Sequence, residues 1–506
     1  MPPPAFTIRD DINRHRVAYL GLLVAFLFWG FVDVRVRARR DPEQTFVHMT
    51  DLTVYTEAGA AFFDGREPYR VTNDRGWSYL YPPLFAILLA PLQPLDSTVQ
   101  ALTWYWISLA MAFGCYWELR KLVDVLVGEV RSATGRDLTV PRWAWWAALG
   151  AALLPALNCL QRGQVGVLKL YLLLLGLRLL LARCSLRAWL LGGIVLAAPI
   201  ALKLTPALPV GCLLCLLAVR GWCRHEADAG MSWRQAWTAT LGVVAGCVLF
   251  LLLVPAALIG WSANLGHLDT WYHDVVANVN DVRAVDFGHD VASIRNQSLM
   301  NAVYRGGNWL VYQLYAWPDD TLVDTTDTAY GSMPMDEPIV NHMLHAIRLV
   351  TLAALMLLAW RVTVAGDAWG MASVFGLAAV ASLIVSPVSR GHYFMLMIPA
   401  VLLLPAWFEW RRLHRQARWA AFAPVALSWM HYVLLDWTGR MGVLGIGTTV
   451  WFFLIVVWMH RAVQSGVVDA ASMRAAGDRV ERPLCDDHRP HHPPNWATLT
   501  QATERA

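Results

Sequence analysis

The chain has 506 residues, 57% of them hydrophobic and 15% charged, with a formal net charge of +4. Soluble domains average about 25% charged residues, so this composition excludes an ordinary water-soluble globule, and so small a positive excess gives no reason to expect a nucleic-acid partner. Near-continuous apolar runs, set against the roughly 20 residues that cross hydrocarbon, predict an all-α polytopic membrane protein whose first partner is the lipid bilayer.

In chain order, apolar spans are expected near 17–32, 98–119, 143–160, 165–182, 188–202, 204–219, 237–256, 343–362, 369–386, 392–408, 419–436 and 443–460. That makes about twelve transmembrane helices, some short enough to be tilted, broken or re-entrant. A further apolar run, "YPPLFAILLAPLQPL" (81–95), carries prolines that favour a membrane-surface or re-entrant segment over a full span. The boundaries that follow are an N-terminus over 1–16, a membrane domain over 17–460 and a polar, disordered tail over 461–506.

Counted alternately, short connections such as "ARCSLR", "RGWCRHEADAGMSWR" and "WRRLHRQAR" are richer in arginine than "QRGQ", "KLT" and "SPVSRGH". The positive-inside rule then puts both termini in the cytoplasm and leaves two long extracytoplasmic loops, about 33–97 and 257–342. The cluster "RVRARR" (35–40) argues the other way for the first span. The protein is expected in the inner or plasma membrane. Most of the eight cysteines fall in apolar runs and read as buried thiols, the Cys212–Cys215 pair included. The tail segment "CDDHRPHHPP" has metal-ligating residue types, but a disordered polar terminus explains it more cheaply.

Polar residues at membrane edges need a reason, and here they share the extracytoplasmic side. They are Arg162 and Gln164 in "LQRGQVG", Lys203 in "ALKLTPAL", Asn296 and Gln297 in "IRNQSLMNAVYR", and Arg390, His392 and Tyr393 in "SPVSRGHYFMLMIPA". The acidic segment "DLTVYTEAGAAFFDGREPY", from Asp51 to Tyr69, faces the same side. Each has a plainer reading. Lys203 snorkels to headgroups; Asn296, Gln297 and Ser298 cap a helix; His392 is structural; Tyr79 and Tyr81 belong to an interfacial belt. Glu57, Asp64, Glu67 and Asp74 form a solvated face or pair with Arg66, Arg70 and Arg75.

One chemistry uses the whole set: sugar transfer from a lipid carrier. Such a donor keeps its phosphate at the membrane surface, where cations at helix ends hold it and stabilise it as leaving group. A single carboxylate then takes the proton of the acceptor hydroxyl. No Walker or dinucleotide glycine motif is present, in keeping with a donor that carries no nucleotide.

At these residues the chain resembles glycosyltransferase family 87, the polyprenyl-phosphate-mannose-dependent α-mannosyltransferases with a C-type membrane glycosyltransferase fold. The likeness runs in order through "DLTVYTEAGAAFFDGREPY", "YLYPPLFAILLAPL", "RGQVGVLKLYLLLLG", "ALKLTPAL", "NQSL" and "SPVSRGHYFMLMIPA", over most of 45–400. It implies that Asp51 is the general base, that Lys203 and Arg162 bind the lipid phosphate, and that Gln164, Asn296, Gln297 and His392 line the sugar or acceptor site. Arg390 and Tyr81 complete the expected substrate-binding set. It implies inverting transfer of mannose to an extracytoplasmic glycolipid or envelope glycan with no cofactor and no metal. The acidic stretch "AWPDDTLVDTTDTAYGSMPMDEP", with Asp286 and Asp290, leaves a metal site conceivable. Two alternatives remain: a transporter or flippase of lipid-linked glycans, although no internal repeat is seen, and a related C-type transferase carrying another group such as arabinose.

Overall fold

In the computed structural model the described residues are 8–40, 46–48, 50–73, 77–135, 138–182, 185–223, 233–277, 296–299, 302, 338–365 and 367–475. Asp74, Arg75, Asp286, Asp290, the acidic stretch 317–337 and the tail motif at 485–494 lie outside them.

The regular structure of the described chain is helical apart from a short antiparallel ribbon of β1 (Ala38–Arg40) and β2 (Phe46–His48), in which Arg39 faces Val47, and two isolated bridges, Thr72–Ser78 and Asn296–Arg390. This ribbon joins α1 (Ile8–Arg37) to α2 (Asp51–Asp64), and α3 (Pro83–Leu89) follows. Then come α4 (Ser97–Thr134), α5 (Arg142–Arg162), α6 (Gly166–Ala182), α7 (Leu186–Leu202), α8 (Ala207–Cys223), α9 (Trp233–Cys247), α10 (Val254–Ile259) and α11 (Trp261–Thr270). The last group is α12 (Pro338–Val364), α13 (Ala368–Val385), α14 (Ile398–Trp410), α15 (His414–Val433), α16 (Leu435–Met441) and α17 (Val443–Ala475).

Each of the twelve expected apolar runs is helical over most of its length. Among the described residues, six helices are long and apolar enough to cross a membrane: Arg142–Arg162, Trp233–Ile259, Leu344–Val364, Ala368–Val385, Gly391–Trp410 and Val443–Ser465. The Trp233–Ile259 segment joins α9 and α10 through a π-helical stretch, Val248–Leu253. The segment after Pro82 is not a span: α3 is seven residues long, starts on Pro83 as a helix start favours, and is buried against α2.

The helices α13 and α14 are apolar on every face and almost wholly buried, with α4, α5, α8, α12, α15 and α17 packed around them. The perimeter behaves in the opposite way. Phe28, Trp146, Trp222, Leu349 and Val433 are large, apolar and exposed, the pattern of a lipid-facing surface. Local chemistry stops the helices where the bundle needs ends. Asp96 and Ser185 cap α4 and α7 by accepting from the backbone N–H of Thr98 and Ala188, and Pro387 follows the last turn of α13.

The two ends of the bundle carry different sets of polar groups. One end carries buried or half-buried pairs such as Arg220–Glu129 at 3.4 Å and Arg411–Asp367 at 3.0 Å, together with exposed Arg412, Arg415 and Arg418. The other end carries Asp51, the last turn of α5, the turn between α7 and α8, and the segment from Ser386 to Arg390.

Candidate active site

Asp51 is the first residue of α2, where the helix dipole favours a negative side chain. Its Oδ2 accepts a hydrogen bond from Gln164 Nε2, and Arg162 Nη1 stands 4.0 Å from the same oxygen. The second oxygen, Oδ1, is buried and has no hydrogen-bond partner among the described residues. A buried carboxylate oxygen left bare is costly in a resting protein.

Gln164 reaches Asp51 because of how α5 ends. Gly163 adopts the left-handed conformation with φ of 67°, and Gln164 N–H returns to the carbonyl of Cys159 at 3.0 Å. A Cβ on Gly163 would lie 2.8 Å from Leu52 Cβ. A glycine is therefore required twice over, by conformation and by the closeness of α2.

A hydrogen-bonded chain runs on from Gln164. Tyr81 donates to Gln164 Oε1 at 3.4 Å and accepts from Lys203 Nζ at 2.9 Å and from Tyr55 at 3.3 Å. Burial, with the neighbouring Tyr55 and Asp51, pushes the Tyr81 phenol well above its ordinary range, so it keeps the proton it donates. Lys203 also donates to the Tyr393 hydroxyl, and its ammonium lies 4.4 Å from the ring centre of Tyr81 and 4.0 Å from that of Tyr393. Asp51 and Lys203, 152 positions apart in sequence, thus belong to one polar cluster.

His392 lies in the electrostatic field of Arg162, Arg390, Lys203 and Lys169; it is buried, and its Nε2 has no partner among the described residues. The Tyr432 hydroxyl, in the field of Arg162, is buried without a partner as well. Arg390 stacks over Trp77 at 5.6 Å. Asn296 and Gln297 lie beside the cluster, but their amides meet backbone. Asn296 Oδ1 accepts from Ser298 N at 3.0 Å and Ser389 N at 2.9 Å, and its Nδ2 donates to the Pro387 carbonyl at 3.2 Å. Gln297 Nε2 donates to the Gly439 carbonyl at 3.1 Å. The Asn296 amide and the Gln297 backbone, whose N–H donates to the Ser389 carbonyl at 2.7 Å, hold the segment that presents Arg390.

The other carboxylates of the acidic segment sit elsewhere. Asp64 and Glu67 are at the far end of α2, roughly 20 Å away at 1.5 Å per residue, where they meet Arg66 at 3.0 Å and His267 at 3.8 Å. Tyr79 is fully buried, donates to the Pro82 carbonyl at 2.6 Å and accepts from Ala86 N at 3.2 Å, so it builds the start of α3 rather than an interfacial belt. Among the described residues no group of three or more His, Cys, Asp or Glu side chains is placed to hold a metal ion.

Three participants were not singled out in the sequence: Tyr55, Tyr432 and Lys169. Tyr55 follows Asp51 by one helical turn, and Lys169 is a lone cation inside "GVLKLYLLLLG". Nothing in the sequence marks Tyr432.

The profile of glycosyltransferase family 87 matches residues 79–387, more than half of the chain. The chain belongs to glycosyltransferase family 87. Searches of curated proteins and of solved structures give no match. Membership of this family identifies a membrane glycosyltransferase rather than a transporter, acting with a sugar donor and an acceptor at the bilayer. The matched span holds Tyr81, Arg162, Gln164, Lys203, Asn296 and Gln297; Asp51 precedes it, and Arg390 and His392 follow it.

Proposed function

We propose that this family 87 member is an inverting hexosyltransferase that moves mannose from a polyprenyl-phosphate donor to an extracytoplasmic glycolipid or envelope glycan, forming an α-linkage. The observation that carries the reading is the state of Asp51. One oxygen is held by Gln164, the other is buried and bare, and a hydrogen-bonded path leads to Lys203. A fixed carboxylate with a vacant acceptor position suits removal of a proton from a sugar hydroxyl. A lysine braced by two tyrosines suits a lipid phosphate.

In this mechanism the acceptor hydroxyl donates to Asp51 Oδ1 and attacks the anomeric carbon from the face opposite the phosphate. The carbon–oxygen bond to phosphate breaks and its electron pair stays on the phosphate oxygen. Lys203 and Arg162 bind that phosphate, and Gln164 keeps Asp51 aligned. His392, Arg390 and Tyr81 complete the binding surface, while Asn296 and Gln297 act by holding the Arg390 segment. No metal or cofactor is assigned a role. The extracytoplasmic orientation is supported by the arginine-rich connections at the opposite end of the bundle.

The test is transfer of labelled mannose from polyprenyl-phosphate mannose to membrane glycolipids by wild type and Asp51→Asn. Loss of the base is expected to lower turnover about 10²–10⁴-fold while donor binding persists. Undiminished transfer by a folded Asp51→Asn protein would remove Asp51 from the mechanism. Arabinose transfer in place of mannose would keep the chemistry and change the donor.

A further inference from the structure

Lys169 is 2% exposed, in the first turn of α6, where the surrounding sequence is almost wholly apolar. Its Nζ donates to Thr205 Oγ1 at 3.1 Å and lies 5.5 Å from the centre of the Tyr393 ring, the ring that Lys203 approaches to 4.0 Å. No carboxylate among the described residues pairs with it. A buried ammonium whose company is a hydroxyl, an aromatic face and the Cys159 thiol of α5 is expensive to maintain. Snorkelling does not explain it, because the side chain ends inside the protein. Around His392, Lys169 joins Lys203, Arg162 and Arg390, while Asp51 is the one described carboxylate placed against this cluster.

We propose that Lys169 is a positioning residue that favours the doubly charged form of the leaving lipid phosphate. Resting on the donor chemistry proposed above, the inference follows from how charge moves in the reaction. The donor phosphodiester carries one negative charge. When the anomeric carbon–oxygen bond breaks, its electron pair stays on the phosphate, which becomes a monoester dianion; the acceptor's proton goes to Asp51 and the acceptor oxygen takes the carbon. One further negative charge thus appears at the phosphate during the step. Lys203, at the surface of the cluster, meets the charge already present, and Lys169, behind Tyr393, is matched to the charge that develops. An interaction stronger in the transition state than in the ground state raises turnover rather than donor affinity.

Anchoring is the competing role. Through Thr205, Lys169 ties α6 to the turn that carries Lys203. Thr205→Val removes the anchor and keeps the charge; Lys169→Met removes the charge and nearly keeps the volume.

The experiment measures binding of polyprenyl phosphate, by thermal stabilisation of the reconstituted protein, at pH 5.5 and 7.5. The second ionisation of a phosphate monoester lies near pH 6. Wild type is expected to bind it on the order of tenfold more tightly at the higher pH. Lys169→Met is expected to lose that gain, with about tenfold slower transfer at a donor KM within about twofold of wild type. Thr205→Val is expected to keep the gain. Equal binding by wild type at both pH values would overturn the proposal even if Lys169→Met failed to fold. So would a Thr205→Val variant that reproduces Lys169→Met, which would leave only the anchor. If wild type shows the pH-dependent binding yet transfers no hexose from polyprenyl-phosphate hexoses, the functional reading fails and the phosphate site stands.

Discussion

Gly163→Ala tests whether the end of α5 sets the geometry around Asp51. Two costs act together. The residue has φ of 67°, where a non-glycine pays about 1–2 kcal/mol. The new methyl would also sit 2.8 Å from Leu52 Cβ, and that atom, fixed to the α2 backbone, cannot swing aside. Overpacking of this kind costs about 1–3 kcal/mol, which brings the total to about 2–5 kcal/mol. Gly65→Ala is the internal control. Gly65 has φ of 71° at the other end of α2, but nothing lies within 4 Å of a Cβ built there, so only the conformational cost applies. The assay is thermal unfolding in detergent alongside hexose transfer. Gly163→Ala is expected to melt several degrees below Gly65→Ala. It is also expected to transfer far more slowly, because the strain pushes Leu52, and with it Asp51, away from Gln164; a displacement of about 1 Å is worth up to about 10²-fold in rate. Indistinguishable melting and turnover for the two variants would refute the idea that this contact positions Asp51.

Two further outcomes follow from groups around the site. Asn296→Ala would leave Ser298 N, Ser389 N and the Pro387 carbonyl without their buried partner, so it should cost about 2 kcal/mol or more and loosen the segment that presents Arg390; an unchanged melting temperature would contradict the clamp. His267, edge-on to Phe62 at 5.0 Å, has its pKa lowered by burial, with Glu67 acting in the opposite direction. A depressed histidine pKa means that the folded state binds fewer protons than the unfolded one, so the packing of α11 on α2 is fully present above pH 6.5 and is lost as pH falls through the lowered value. Protection of the α11 amides, corrected for the intrinsic exchange rate at each pH, should fall on acidification, and His267→Leu should abolish that fall.

How much of this architecture the sequence reveals depends on the range of the interaction that fixes it. Apolar runs near hydrocarbon length mark where the helices lie, since each run answers to its solvent one stretch at a time. Their packing order is different. That α13 and α14 are central follows from both being apolar all round, yet the same composition also fits a lipid-exposed span, and only contacts from other helices decide between the two. The ribbon β1–β2 is invisible for a similar reason. Three residues on each side, two of them arginines, carry no alternation from which a strand could be read.

At the site the same boundary appears residue by residue. Arg162, Gln164 and Lys203 stand out because a polar side chain at the end of an apolar run needs an explanation, and the structure gathers them with Asp51. Asn296 and Gln297 stand out equally, but residue type does not say whether an amide will meet a sugar or a carbonyl. Theirs meet the carbonyls of Pro387 and Gly439, partners 91 and 142 residues away. Lys169 fails in the other direction. In a run of leucines it looks like an interruption of a helix, and its meaning depends on Thr205 and Tyr393, brought to it from two other elements. A single cation in a run that short is easily taken for a snorkelling side chain. What distinguishes it is that the side chain ends against Thr205 and the Tyr393 ring inside the protein, a property of the packed helices and not of any segment of the chain.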